Sequence, residues 1–223
     1  MSDPAPTRFA ILLDGALHPT ERLRAQVKGR RILAADGGIR NAERLGVTPE
    51  LWLGDFDSAD PTLEDRFSGV ARDNHSPDKA VSDGEIAIRH ALELGACDLL
   101  LVGALGGPRS DHAFFNLAGA VDLARRIPEL DILLSSGDEE AIPVRPKKKL
   151  RPDWPDGTIF SVMSFDTMVG LTVRGAKWPL DDVHVPFGST WTLSNVAKEG
   201  LEIHLTRGYA VAICQFDKSR QAM

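Results

Sequence analysis

Apolar residues in the first half of the chain fall in short unbroken runs, and each run gives way to Gly, Asp or Ser. Residues 9–13 form one run, with a turn after it at Asp14-Gly15. Residues 32–35 form the next, ending at Asp36-Gly37-Gly38, and residues 51–53 a third, ending at Gly54-Asp55. Runs this short without alternation suit strands buried on both faces. Helical stretches are predicted between them: residues 20–26, capped by Thr20 behind Pro19, and residues 39–45, closing at Gly46. Residues 60–65 read as a loose acidic stretch and Val70-Ala71 as a strand. Ser82 stands three residues before Glu85, the capping-box spacing, so a helix is predicted from there to Leu94, ahead of Gly95. Residues 98–102 make another buried run, followed by a glycine-rich loop and a helix through Arg126. Residues 131–134 read as the last strand of this series, with Ser135-Ser136-Gly137-Asp138 as its turn.

Beyond Gly137 the texture changes. Pro143, Pro146, Pro152 and Pro155 interrupt the chain, and Lys147, Lys148 and Lys149 read as a solvated loop. Five β-like runs follow, at residues 159–163, 171–174, 190–193, 201–205 and 210–215. The pattern predicts an α/β protein: an N-terminal, mostly parallel α/β sheet domain over residues 1–137, then a C-terminal antiparallel β-sandwich domain over residues 138–223.

Composition narrows the function classes. The chain has 223 residues, of which 43% are hydrophobic, enough for a sizeable core. A formal net charge of −6 argues against a nucleic-acid partner, which needs a basic face. No apolar run approaches the roughly 20 residues that span a bilayer, and the first seven residues lack the basic-then-apolar pattern of a signal peptide. Cys97 and Cys214 are expected to be reduced thiols of a cytoplasmic protein.

Candidate chemistry gathers where the runs end. In extended backbone Asp55 and Asp57 would point to one side while Phe56 turns inward. Two carboxylates so placed read either as a cation site, for which Mg²⁺ with a substrate phosphate is suited, or as a polar turn. Ligands of parallel sheets collect beyond the carboxyl ends of the strands, which places Asp36, Asp55, Asp57, Asp83, Arg109, Asp111 and His112 along one rim. Asp55, Asp57 and Asp83 with a divalent ion would hold nucleotide phosphates. Gly37, Gly38, Gly106 and Gly107 offer close backbone N–H groups, and Arg109 could offset phosphate charge. Neither a Walker loop nor G-x-G-x-x-G is present. Bland readings stand beside these: Asp36 as a turn residue, Asp83 as a favourable charge in a helix's first turn, and Trp178 and Trp191 as core.

Taken in order, Ala35-Asp36-Gly37-Gly38, Gly54-Asp55-Phe56-Asp57-Ser58, the segment from Asp78 through Ser82 to Asp83, and the loop from Gly103 to His112 with Asn116 form one set. Gly175-Ala176-Lys177-Trp178-Pro179-Leu180 and Ser194-Asn195 complete it. With this set the chain resembles the thiamine pyrophosphokinase (thiamine diphosphokinase) family, from Asp36 to Asn195. The resemblance implies an ATP-binding α/β domain joined to a thiamine-binding β-sandwich, in a homodimer whose active sites lie between subunits. It implies transfer of a diphosphoryl group from ATP to thiamine with release of AMP. Mg²⁺ would sit at Asp55, Asp57 and Asp83, the catalytic set, with Asp83 a candidate proton acceptor. ATP would meet Asp36, Gly37, Gly38, Gly106, Gly107, Arg109, Asp111 and His112, and thiamine would meet Ser194, Asn195 and Trp178. The chain departs from the family pattern at Ala80, where a carboxylate is usual, at Ser82 in place of Thr, at the inserted Pro108 and at Val196. A related diphosphokinase acting on a pterin-like alcohol and a non-catalytic nucleotide- or thiamine-sensing module are the alternatives.

Overall fold

The computed structural model describes residues 7–56, 61–75 and 81–216. The predicted features at Asp57, Ser58 and residues 78–80 lie outside these. The chain divides into two compact units. The first takes the residues up to Ala113 together with Glu129–Gly137, and the second takes Phe114–Pro128 and the residues from Asp138 onward.

In the first unit, β1 (Thr7–Leu12), β2 (Arg31–Ala35), β3 (Leu51–Gly54), β4 (Ala71–Asn74), β5 (Ala96–Val102) and β6 (Asp131–Ser135) pair in the order β6-β5-β1-β2-β3-β4. All five pairings are parallel. β1 lies inside this order, and Phe9, Ala10, Ile11 and Leu12 are wholly buried, which is why the run carries no polar alternation. Helices α1 (Glu21–Val27), α2 (Ile39–Leu45), α3 (Pro61–Arg66) and α4 (Asp83–Glu93) connect the strands, and α5 (Ser110–Arg126) starts here.

The expected caps form. The Thr20 hydroxyl accepts from Leu23 N, the Ser82 hydroxyl accepts from Glu85 N, and Gly46 ends α2 with φ +70. The stretch expected to be loose is helical as α3: Pro61 suits a first helical position, and Leu63 buries against the core beside Phe67. That core also takes Leu12, Leu23, Ile39, Trp52 and Leu100, each large side chain contributing about 1.5–3 kcal/mol by leaving water.

In the second unit, β7 (Glu139–Val144), β8 (Ile159–Ser164), β9 (Met168–Ala176), β10 (Leu180–Val185), β11 (Asn195–His204) and β12 (Ala210–Gln215) pair antiparallel in the order β10-β9-β11-β8-β12-β7. β11 meets β8 only through Asn195 and Val196, then turns to β9 with a register shift between Ala197 and Glu202. Phe160, Val162, Leu171, Val173, Ile203 and Ala212 close one core.

Residues 190–193, expected as a strand, form a turn. Thr192 bonds Val162 in both directions, its carbonyl accepting from Val162 N at 3.0 Å and its Oγ1 donating to the Val162 carbonyl at 2.6 Å, so the segment docks on β8 without extending. β7 and β10 are additional to the expected strands. Cys97 and Cys214 are both thiols, and among the described residues no helix is long and apolar enough to cross a membrane.

Candidate functional site

The first unit's strand order changes direction between β1 and β5. The chain runs outward from β1 through β4 and returns to β1's other side, and parallel sheets take their ligands beyond the carboxyl ends of two such strands. Glycines stand at these strand ends because nothing larger fits between the backbones. A Cβ on Gly15 would stand 2.1 Å from the Gly103 carbonyl oxygen, and one on Gly38 would stand 2.0 Å from the Leu12 carbonyl oxygen. The Asp14-Gly15 turn and the loop from Gly103 to Gly107 therefore lie against each other.

Carboxylates stand at successive positions around this rim: Asp14 after β1, Asp36 in a short 3-10 turn closing β2, Asp55 after β3 and Asp83 in the first turn of α4. Burial raises the Asp36 carboxyl above its ordinary value, opposed by the Gly37 N–H, and Asp83, Asp55 and Asp14 push it further in the same direction. Asp55, Asp83 and Asp14 thus lie near enough to Asp36 to bear on its charge.

Asp14 joins them unanticipated, read from sequence only as a turn. Its signal was the repetition of one motif: an apolar run ending in Asp and Gly at β1, as at β2. Arg40 on α2 holds Asp14 at 2.8 Å, and Gly37 sits under that pair, where a Cβ would come 2.4 Å from Asp14 Oδ2. Asn41, buried, braces the same turn by donating from Nδ2 to the Leu13 carbonyl at 2.6 Å.

The extended backbone expected through Asp55 does not continue. β3 ends at Gly54, and Phe56 has φ +60, so the two-residue alternation that would align Asp55 with Asp57 stops there. Phe56 does pack inward, onto the first unit's core. Asp36 also has positive φ, +44. Such conformations cost about 1–3 kcal/mol each for non-glycine residues and gather at functional sites.

Oxygen-only donors are the chemistry that a hard divalent cation such as Mg²⁺ meets. Among the described residues, no three Asp, Glu, His or Cys side chains stand close enough together to hold one. Asp55 and Asp83 are the described members of the expected ligand set.

Arg109 pairs with Asp111 instead of with the rim carboxylates. Its Nε and Nη2 donate to the two Asp111 carboxylate oxygens at 3.0 and 2.7 Å, on an exposed loop. The guanidinium, first by its hydrogen bond, holds the Asp111 carboxyl far below the usual carboxylate range. His112 follows, exposed, in the first turn of α5. Gly106 and Gly107, with φ +66 and +98, form the loop before them, and a Cβ on Gly107 would stand 3.0 Å from Ala16 N.

The second unit contains a cavity of about 410 Å³, whose lining includes Phe160, Trp178, Trp191, Thr192, Ser194 and Asn195. Trp178 and the adjacent pair Ser194-Asn195, sixteen residues on, meet there. Trp178 is 52% exposed and Trp191 57%, so both indoles present surface instead of filling the core. Lys177 Nζ lies 4.4 Å from the centre of the Trp178 ring. Ser194, with φ +57, donates its N–H to the Ser161 hydroxyl at 3.0 Å.

The chain matches two family models: "Thiamin pyrophosphokinase, catalytic domain" over residues 25–131 and "Thiamin pyrophosphokinase, vitamin B1 binding domain" over residues 142–210. A comparison with curated protein sequences found no match. Among solved structures, the chain is similar to a thiamine pyrophosphokinase from Bacillus subtilis at 22% identity, covering 94% of this chain and 99% of that one with a TM-score of 0.81. It is similar to a thiamin pyrophosphokinase from Geobacillus thermodenitrificans at 25% identity, covering 95% and 98% with a TM-score of 0.75. A thiamin pyrophosphokinase from Candida albicans shares the fold at 13% identity, covering 97% and 95% with a TM-score of 0.73. Two adjoining models of one family, matched over most of a chain that carries the acidic rim in one unit and the tryptophan-lined cavity in the other, place this protein in the thiamine pyrophosphokinase family of enzymes.

Proposed function

We propose that the protein transfers a diphosphoryl group from ATP to the hydroxyethyl oxygen of thiamine. That oxygen attacks the β-phosphorus, the bond from the β-phosphorus to the bridging oxygen of AMP breaks, and thiamine diphosphate and AMP leave. The placement of Asp14, Asp36 and Asp55 just beyond the carboxyl ends of β1, β2 and β3, with Asp83 in the first turn of α4, is the observation that carries this reading, because a phosphate-transfer site gathers such groups around a cation.

Asp55 and Asp83, with Asp57, would hold Mg²⁺, which when bound offsets charge on the phosphates and orients them. Asp83 would also be the candidate acceptor of the thiamine hydroxyl proton. Asp36, Gly37, Gly38, Gly106 and Gly107 would bring backbone N–H groups and a carboxylate to ATP, with Arg109, Asp111 and His112 on the exposed side. Trp178 would offer a π-face to the cationic thiazolium or the flat pyrimidine, beside Ser194 and Asn195.

Residues 1–137 are read as the nucleotide domain and residues 138–223 as a thiamine-binding β-sandwich that also dimerises. The exposed apolar side chains Ile159, Trp178, Phe187 and Trp191 support a homodimer with active sites between subunits. Two thiols fit a cytoplasmic protein.

The test is AMP release from ATP. Release that requires both thiamine and Mg²⁺ is expected. Release with a pterin alcohol but not with thiamine, or binding of ATP and thiamine with no AMP formed, would overturn the reading in favour of a different diphosphokinase or of a sensor.

A further inference from the structure

We propose that Trp52 is a positioning residue of the acidic rim, one side chain that ties the turn carrying Asp36 to the turn carrying Asp55 and holds both in their left-handed conformations. The proposal rests on the function proposed above and concerns how its carboxylates are kept in place.

Asp36 and Phe56 have φ +44 and +60, and they stand at the carboxyl ends of the neighbouring parallel strands β2 and β3. Aspartate enters that region more readily than most residues and phenylalanine rarely does, so contacts from outside the turns help to hold the pair there. Trp52 reaches both. It lies in β3, 1% exposed, and its indole Nε1–H donates to the Asp36 main-chain carbonyl at 2.9 Å. Its ring meets the Phe56 ring edge-on, with centroids 5.0 Å apart and planes at 87°.

A second layer braces this pair. The Arg72 guanidinium from β4 lies 4.9 Å from the Trp52 ring centre and 5.3 Å from that of Phe56, with Glu64 3.6 Å from its outer face. Gly54 completes the fit: a Cβ there would come 3.1 Å from Asp36 Cα, so the Asp36 turn rests directly on the end of β3.

A leucine or isoleucine at position 52 would fill the core as well, but it would have no N–H for the Asp36 carbonyl and no flat edge for Phe56. The polar end of this tryptophan is spent on a functional turn, not on solvent. Because the contact is to the main chain of Asp36 and to the ring of Phe56, Trp52 acts through the carboxylates and touches no substrate.

The test uses the full chain with Trp52→Phe, which keeps a ring and removes the donor, and Phe56→Leu, which removes the ring contact from a partly buried site. The sequence has four tryptophans, so the indole N–H signals in a ¹⁵N spectrum are few, and the one lost in Trp52→Phe belongs to Trp52. Phe56→Leu is expected to speed hydrogen exchange at that indole at least about 10-fold. Each variant is expected to lower kcat for thiamine-dependent AMP release about 10-fold or more and to weaken Mn²⁺ binding to a similar degree, with KM for thiamine unchanged.

Wild-type kcat and Mn²⁺ affinity in a folded Trp52→Phe would overturn the proposal. If that variant does not fold, unchanged indole exchange and kcat in Phe56→Leu would overturn it instead. A wild-type protein that releases no AMP would defeat the proposed function, while the exchange measurement would still decide whether Trp52 and Phe56 hold one another.

Discussion

Asn195 binds both backbone polar groups of Trp178. Its Nδ2 donates to the Trp178 carbonyl at 2.7 Å, and its Oδ1 accepts from Trp178 N at 3.1 Å and from Val196 N at 2.8 Å. The side chain, buried within the second unit, thus takes the place of a strand neighbour at the start of β11 and fixes the backbone from which the Trp178 indole projects. Asn195 was expected to contact thiamine. Its amide also holds the cavity wall through these bonds, so it would serve thiamine by shaping the cavity as well as by lining it.

Removing Asn195 should therefore act on thiamine and not on ATP. Asn195→Asp keeps the acceptor but sets an oxygen against the Trp178 carbonyl, while Asn195→Ala loses all three bonds. A buried group left unpaired costs about 1–3 kcal/mol, equivalent to roughly 5- to 150-fold in affinity. KM for thiamine is expected to rise within that range, with KM for ATP within about 2-fold of wild type. Steady-state kinetics with each substrate varied in turn check this, and a wild-type thiamine KM in Asn195→Ala would return the residue to simple packing.

Asp36 couples the rim's chemistry to the protein's stability. Its carboxyl value is raised, first by burial and then by Asp83, Asp55 and Asp14, so the folded chain holds that proton more tightly than the unfolded chain does. The stability this group contributes is full below the ordinary value of 3.8 and is lost as pH rises through the higher folded value. At neutral pH the ionised carboxylate therefore works against the fold. Asp36→Asn is expected to raise Tm at neutral pH, with the gain shrinking in acid, while turnover falls at least about 10-fold. Thermal unfolding across pH measures the first effect, and a variant less stable than wild type at neutral pH would contradict it.

Glu202 gives the opposite slope. Lys149 Nζ and Arg151 Nη2 lie 2.9 and 2.7 Å from its two oxygens and hold its carboxyl below the ordinary value of 4.5. The stability from this group is present above that ordinary value and is lost as pH falls through the depressed folded one. Glu202→Gln is expected to flatten the acid limb of the Tm profile below the ordinary glutamate range. At neutral pH the cost should be small, because both cations are exposed. An unchanged acid limb would show that the three charges contribute nothing.

Where the determinants are local, the sequence is readable. Thr20, Gly46 and Ser82 mark helix ends through bonds made within four residues, and all three ends form where expected. The uniform apolar runs of β1, β2 and β5 reflect strands flanked on both sides.

Long-range determinants escape. Asp14 looks like any turn residue until β1 and β2 set it beside Asp36, and the positive φ of Phe56 depends on Trp52 and Arg72, four residues before it and sixteen after it. β10 was missed because its pattern, Leu-Asp-Asp-Val-His-Val, is broken by Asp182 at φ +49, where the register with β9 shifts. Residues 190–193 carry strand-like residue types, yet Thr192 satisfies its backbone on β8 while the chain turns.

Two neighbouring glycines of the rim separate a structural requirement from a functional one. Gly38 has φ −57, open to any residue, yet a Cβ there would stand 2.0 Å from the Leu12 carbonyl oxygen, in main chain that cannot move without shifting β1. Gly38→Ala is expected to destabilise the fold by about 3 kcal/mol or more, at or beyond the upper end of what overpacking costs. A Cβ on Gly37 would instead meet the ends of two side chains, Asp14 Oδ2 at 2.4 Å and Arg40 Nη1 at 2.5 Å, both of which can swing aside. Gly37→Ala is therefore expected to fold with a loss under about 1 kcal/mol, since surface pairs contribute little. It should still break the Asp14–Arg40 pair and alter the rim, lowering affinity for ATP several-fold. Chemical denaturation of both variants with ATP titration of Gly37→Ala checks the contrast, and equal stabilities for the two would refute it.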